Sequence, residues 1–550
     1  MALHGFVLML LCGCAVPAIA SAPDSSAEMR QYVRGRLADS EGLSDVAANT
    51  YARLLQASPD DKRLALRTYR QALTAGNYKL AVTAARQLDR LGALTVDGTL
   101  MLLSDAVVAR DWARATAVTD RVAREDVFTF IVPVIRGWIA LGKGGGDPLL
   151  AFAGAPASQM AAGYARDHRM LIGMAMGQAK SFEDLRLVTA AHDGRSLRLQ
   201  LAGAALLARR GDKAGALALL QGRASALGMA RALVEAGKPL DGAIDTPALG
   251  LAELFAQLAI DLKGDGKSPL SLLLARQANY LAPGNVAATL VAAELLASND
   301  YRDVALALLA QVPAHDPLAE TARQERSQIL FAKGDKEAAL NEAKKAAAAP
   351  DADGSDYVEL GNILSDMDRP AEAASAFQRA IDFDVAAGQP MWPHLFLKAG
   401  ALDRAGDWAG AKLLLNKAIA LDPRQPIVLN YLGYGMIEHR ENLDEAQGYI
   451  QRASALAPQD AAIADSLGWV YYKQGNYTGA IAALERAVAT DPAQSVMHEH
   501  LGDAYWAAGR RIEARYAWRA ALVQADKDGL DRLNSRLADG LDSGRALSAK

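Results

Sequence analysis

A period of 34 residues restricts the fold of this chain more than any other feature. Gly468 and Gly502 are 34 apart, and each is followed seven residues later by another glycine, Gly475 or Gly509, and then by Ala480 or Ala514. Walking backward, Gly433, Ala399 and Gly361 hold the same place, with one extra residue between Arg440 and Leu443 and four between Gly361 and Ala399, and Ser327, Ala292 and Ala259 continue more loosely. From the other end, Gly35, Tyr69, Leu103 and Gly137 fall at intervals of 34. Within one period Leu467, Gly468 and Tyr471 share a face of a first helix, while Ala480, Leu484 and Ala487 share a face of a second at i, i+4, i+7. Small Gly468 and Ala480 let the two helices approach, Gly475 tolerates the tight turn, and Pro492 opens the next connection, where a helix cannot continue. Such a unit buries its second face only against its neighbours, so the 550 residues are expected to stack rather than to form three or four separate cores. No strand pattern competes, and the expected fold class is all-α.

Laid out in full, Ala461 to Pro492 resembles the tetratricopeptide repeat (TPR), with small, glycine, aromatic and proline residues at that pattern's places. The resemblance implies an α-solenoid, a right-handed superhelix of TPR helix hairpins. Residues 21–144 read as N-terminal repeats and 145–265 as degenerate helical repeats, entered through Gly144-Gly145-Gly146-Asp147-Pro148 and anchored by Ala204, Gly211 and Ala216. Residues 266–391 read as central repeats and 392–525 as the well-patterned C-terminal repeats. A stack exposes an apolar face where it stops, so 526–550 reads as a capping helix and tail, carrying Leu530, Leu533, Leu537 and Leu541.

Lys and Arg number 59 against 63 Asp and Glu, a net charge of −4 that argues against a nucleic-acid partner. Cys12 and Cys14 are the only cysteines, so no disulfide or cysteine nucleophile lies beyond residue 14. Both sit in the apolar stretch Phe6 to Ala20, which is shorter than the roughly 20 residues of a membrane-spanning helix and ends in Ala18-Ile19-Ala20. Residues 1–20 therefore read as a signal peptide, and the protein as exported to the periplasm. Leu11-Cys12-Gly13-Cys14 also reads as a lipobox. Lipidation at Cys14 would tether the chain to a membrane, cleavage after Ala20 would leave it free, and both readings stand. If the stretch is not a signal, the chain is a cytoplasmic scaffold.

In a first helix, residues at i, i+3, i+7, i+10 and i+11 form a stripe, and stacking lines these stripes along a concave wall, the expected binding groove. The candidate partner-binding residues on it are Asn430, Tyr434 and Glu438, then Asp465, Trp469, Tyr472 and Lys473, then Glu499, Asp503 and Trp506. Tyr434, Trp469, Tyr472 and Trp506 would supply contact area, while Glu438, Asp465, Glu499 and Asp503 would favour a partner carrying Lys or Arg. The other placement for Trp469 and Trp506 is against the neighbouring repeat.

Motifs that carry chemistry fail on inspection. Gly264-Asp265-Gly266-Lys267-Ser268 lacks the first glycine of a phosphate-binding loop, Asp261 standing in its place, and has no strand before it. Asp351-Ala352-Asp353-Gly354-Ser355-Asp356 has its glycine too early for a calcium loop and Asn362 where the twelfth-place Glu belongs. In His498-Glu499-His500 the two imidazoles, two residues apart, point to different sides of a helix. No cofactor and no metal are expected; an enzyme would have to lie in residues 145–265, around His168 or His192.

The runs Asn430-Tyr-Leu-Gly-Tyr434, Asn442-Leu-Asp-Glu-Ala446, Asp465-Ser-Leu-Gly-Trp469 and His500-Leu-Gly-Asp-Ala-Tyr-Trp506 resemble the exported TPR proteins of Gram-negative bacteria. Outer-membrane lipoproteins of that group serve as adaptors for a periplasmic carboxyl-terminal processing protease and present cell-wall hydrolases to it. The resemblance covers Asn430 to Leu522, places the lipidated cysteine at Cys14, and implies a non-catalytic adaptor. The alternative is a structural scaffold for an envelope assembly or export machine.

Overall fold

A computed structural model describes residues 25–154, 159–189, 194–222, 224–264, 267–349, 352–386, 388 and 390–541. The leader with Cys14, and also His192, Asp351 and the centre of the Gly264–Ser268 loop, lie outside the described residues. The described secondary structure is helical throughout, from Ser25–Ser40 to Lys527–Asp539. No described helix is long and apolar enough to cross a membrane. The chain divides into two compact units, Met1–Lys333 and Gly334–Lys550, a division that falls inside the expected central stretch 266–391.

The second unit follows the sequence period closely. After Lys336–Ala347 come five hairpins: Gly354–Asp366 with Pro370–Ala386, Trp392–Arg404 with Trp408–Leu421, Pro426–Glu438 with Leu443–Leu456, Ala461–Lys473 with Tyr477–Thr490, and Ser495–Ala507 with Arg511–Ala521. Second helices start at Asp407, Asn442 and Asn476, whose side chains accept N–H groups of Gly410, Asp444 and Gly479 at 2.9, 3.1 and 3.0 Å. Close approach within a hairpin is set by the small residue at the repeat's anchor: a Cβ on Gly433 would stand 2.8 Å from the carbonyl oxygen of Ala446. The interior fills with Trp408, Leu415, Val428, Leu432, Met436, Ile450 and Val470. Lys527–Asp539, the last described helix, buries Leu533 against Trp518 and Ala514.

The first unit departs from a simple stack. It too starts as hairpins, but Pro247–Asp261 and Pro269–Leu281 form a central pair that packs against Lys62–Ala75, Val96–Val108, Val132–Lys143 and Gln159–Ala175. Gly250 to Ala259 and Ser271 to Asn279 are buried without a break, so both helices are enclosed on every side. Their polar side chains find partners in the surrounding helices: Gln277 Nε2 donates to the carbonyl of Asp97 at 2.9 Å, and Tyr280 donates to Asp105 at 3.3 Å. Arg276 Nε donates to the carbonyl of Leu73 at 3.2 Å, and its guanidinium lies over the Tyr78 ring. This places a cation at the C-terminal end of Lys62–Ala75, where unpaired carbonyls and the helix dipole favour one.

Candidate interaction face

First helices of successive hairpins lie side by side in the second unit, and their facing side chains form a ladder of hydrogen bonds. Asp403 accepts from Tyr431 and from His439, both at 3.0 Å. Glu438 accepts from Trp469 Nε1 at 3.1 Å. Asp465 accepts from His500 Nδ1 at 3.0 Å. Glu499 accepts from Arg532 Nε at 2.6 Å and from Arg536, while Asp503 accepts from Arg536 at 2.8 Å and from Trp518 Nε1 at 2.9 Å. Apart from the Trp518 bond, which closes within one hairpin, each carboxylate of a first helix meets a donor about one period further along.

This geometry revises the expected groove. Asp465, Glu499, Asp503 and Trp469 are 6, 6, 2 and 9% exposed, so they form the seams between repeats and are not free to read a partner's charge. Trp469 stacks between Tyr472, at 4.9 Å between ring centres, and His500, at 4.0 Å, with Lys473 Nζ 4.7 Å from its ring centre. Trp506 donates to the carbonyl of Leu541 at 3.2 Å and lies under the Arg511 guanidinium. The physical reason is that the stripe also contains positions facing the next first helix, and a buried acid persists only with donors around it.

Burial dominates the electrostatics. It pushes the Asp503 carboxyl up to about 7, against the pull of the Trp518 N–H bond, His500 and Arg532. Tyr472 is pushed up to about 12 by burial and by Asp503. Tyr434 is raised by burial and by the charges of Glu438 and Asp465.

What remains open is a smaller set. Ile427 and Val496 are exposed, Lys473 and Glu438 are exposed, and Tyr434 and Tyr472 are half-buried. Asn430 Oδ1 is buried without a hydrogen-bond partner among the described residues. Ile427, Asn430 and Tyr434 occupy i, i+3 and i+7 of one helix and therefore share its face. Sequence reasoning missed Asp403, Tyr431, His500, Trp518, Arg532 and Arg536. A search for an acid and a donor 28 to 37 residues apart would have paired most of them.

The motifs considered for chemistry have structural roles. Asp353 and Asp356 form a capping box, with Ser355 N donating to Asp353 at 2.7 Å and Asp353 N to Asp356 at 3.1 Å. Ser268 caps Pro269–Leu281. His168 is fully buried, and its Nδ1 accepts from Trp138 Nε1 at 3.1 Å. Burial alone pushes His168 down to about 3.

A TPR-repeat family model matches residues 468–509, and a second tetratricopeptide-repeat model matches 358–426. These segments are tetratricopeptide repeats. A TPR repeat-containing protein of Pseudomonas aeruginosa is 30% identical over 214 residues, 38% of this chain and 34% of that protein, so the chain spans about a third of this relative's length. Among solved structures, a thermophilic TPR protein of Thermus thermophilus is 24% identical, covering 34% of this chain and 98% of its own, with a TM-score of 0.30. A TPR protein with an unusual peptide-binding site is 18% identical over 35% of this chain and 97% of its own, with a TM-score of 0.27. The ladder described here is how this chain locks its own repeats together.

Proposed function

We propose that this chain is a non-catalytic envelope adaptor that holds a protein or peptide partner along the first-helix face of its second unit. In this reading it is exported, either tethered through Cys14 or free in the periplasm, and presents substrates such as cell-wall hydrolases to a processing protease. The resemblance of Asn430 to Leu522 to the exported adaptor group and the apolar leader support this placement.

The observation that carries the binding face is the open strip Ile427, Asn430 and Tyr434. Asn430 keeps a buried carbonyl oxygen with no partner among the described residues, beside a half-buried tyrosine and an exposed isoleucine. The exposed isoleucine and the half-buried tyrosine give an extended segment contact area on either side of Asn430. The ladder beneath holds the strip rigid, so little conformational entropy is lost on capture.

The test is a pull-down from native envelopes separated into soluble and membrane fractions, with the mature N-terminus read by mass from the same sample. A lipidated Cys14 with a co-purified protease or cell-wall hydrolase supports the adaptor. An intact Met1 in the cytoplasm, or capture unchanged in an Asn430→Ala, Tyr434→Ala double variant, refutes the reading.

A further inference from the structure

The last hairpin departs from its neighbour on the exposed side of its second helix. Shifting Tyr477–Thr490 by one period places Thr478, Ala482 and Ala489 on Ile512, Tyr516 and Val523, and Ile481 and Glu485 on Arg515 and Arg519. A threonine and two alanines thus give way to large apolar groups, and an isoleucine and a glutamate give way to arginines. Ile512, Tyr516 and Val523 are 71, 65 and 77% exposed, among the most exposed large apolar side chains described in the protein. Ile512 and Tyr516 stand one turn apart, at i and i+4 of Arg511–Ala521, and Val523 lies in the turn just past the end of that helix, so the three extend the apolar strip beyond the helix terminus. Arg519 lies over the Tyr516 ring at 5.9 Å and Arg515 near Trp506 at 5.7 Å; neither forms an ion pair among the described residues, whereas neighbouring Arg510 pairs with Glu513 at 3.0 Å.

We propose that this stripe is a second docking surface, which takes an acidic, amphipathic helical segment of a partner protein. Apolar side chains of that segment cover Ile512, Tyr516 and Val523, and its carboxylates meet Arg515 and Arg519. A second copy of this chain does not fit patch to patch, because Arg515 and Arg519 would face their own counterparts. Tyrosine and arginine around a narrow apolar strip are the residues that dominate protein interfaces, which favours a protein segment over a lipid surface. The surface is independent of the first-helix strip, and with it one chain engages two partners and raises their effective concentration for each other.

The test uses the full chain and a fluorescent, amidated peptide of about 16 residues, with leucines at the same spacing flanked by glutamates. Anisotropy should show binding that weakens with salt and falls at least roughly tenfold in an Arg515→Glu, Arg519→Glu variant and in Tyr516→Ser. Both variants alter exposed residues, and unchanged helicity by circular dichroism confirms folding. Tyr434→Ala should leave this binding unaltered, which separates the surface from the groove. Equal binding of a peptide with lysine in place of glutamate, or no binding of the acidic peptide, overturns the proposal. So does binding to phosphatidylglycerol vesicles, or self-association in sedimentation, that is lost in the same variants while the peptide is ignored.

Discussion

Of the two histidines at which an enzymatic reading of residues 145–265 would rest, His168 lies among the described residues, and its environment makes a quantitative prediction. Its ring is fully buried and accepts a hydrogen bond from Trp138, an arrangement that requires a neutral imidazole. Burial holds its pKa near 3, against about 6.5 in the unfolded chain. Unfolding therefore takes up a proton whenever the pH lies between those values. The folded pKa is depressed, so the stabilisation is complete above pH 6.5 and is lost as pH falls toward 3. Between pH 7 and pH 4 the loss is about 3 kcal/mol, or roughly a 200-fold rise in the opening equilibrium. The assay is hydrogen–deuterium exchange across Val132–Lys143 and Gln159–Ala175, corrected for intrinsic rates, in the native chain and in His168→Asn. Asparagine keeps an acceptor near the Nδ1 position but does not titrate. Its smaller side chain lowers stability at every pH, so the pH dependence is the quantity compared. The variant should lose the acid-induced opening that the native chain shows. If both chains open equally between pH 7 and 4, His168 is not a neutral core residue and the reasoning fails.

Three further outcomes follow from the packing. Trp469→Ala removes a buried indole from between two rings and should cost about 3 kcal/mol, seen as a lower unfolding midpoint, in contrast to the half-buried Tyr434→Ala. Arg536→Met leaves the buried Glu499 and Asp503 with fewer donors; a loss of about 3 kcal/mol should appear first as faster exchange in Lys527–Asp539, and unchanged protection there would contradict the ladder. Gly76→Ala should destabilise the first unit by more than about 1 kcal/mol in thermal melts, because Gly76 sits at φ +83° and the Arg276 guanidinium occupies the space of a Cβ.

Much of the second unit was legible because its determinants are local. Asn476 caps a helix and Gly475 makes a left-handed turn wherever the stack happens to sit, and Gly433 records a close approach inside its own hairpin. The site was less legible. The same spacing that places Asp465 and Trp469 on a helix face is silent on whether the next helix covers that face. His500 answered for Asp465, and Arg532 and Arg536 of the expected capping helix answered for Glu499 and Asp503. In residues 526–550 the leucines were read for packing, but Arg532 and Arg536 were not read as partners. In the first unit, the unbroken burial of Gly250 to Ala259 was hidden because a run of small and apolar residues suits an ordinary stacked helix equally well.

The sequence by itself determined the helices, their pairing into hairpins and the period, since these depend on turn residues, caps and apolar spacing within about 34 residues. Only the tertiary structure decided which polar groups are occupied. It closed Asp465, Glu499 and Asp503 into the seams, left Asn430 Oδ1 without a partner among the described residues, and set the central hairpin inside the first unit. Burial of a charge is tolerated only where donors from other parts of the chain converge, and that convergence is a property of packing in three dimensions.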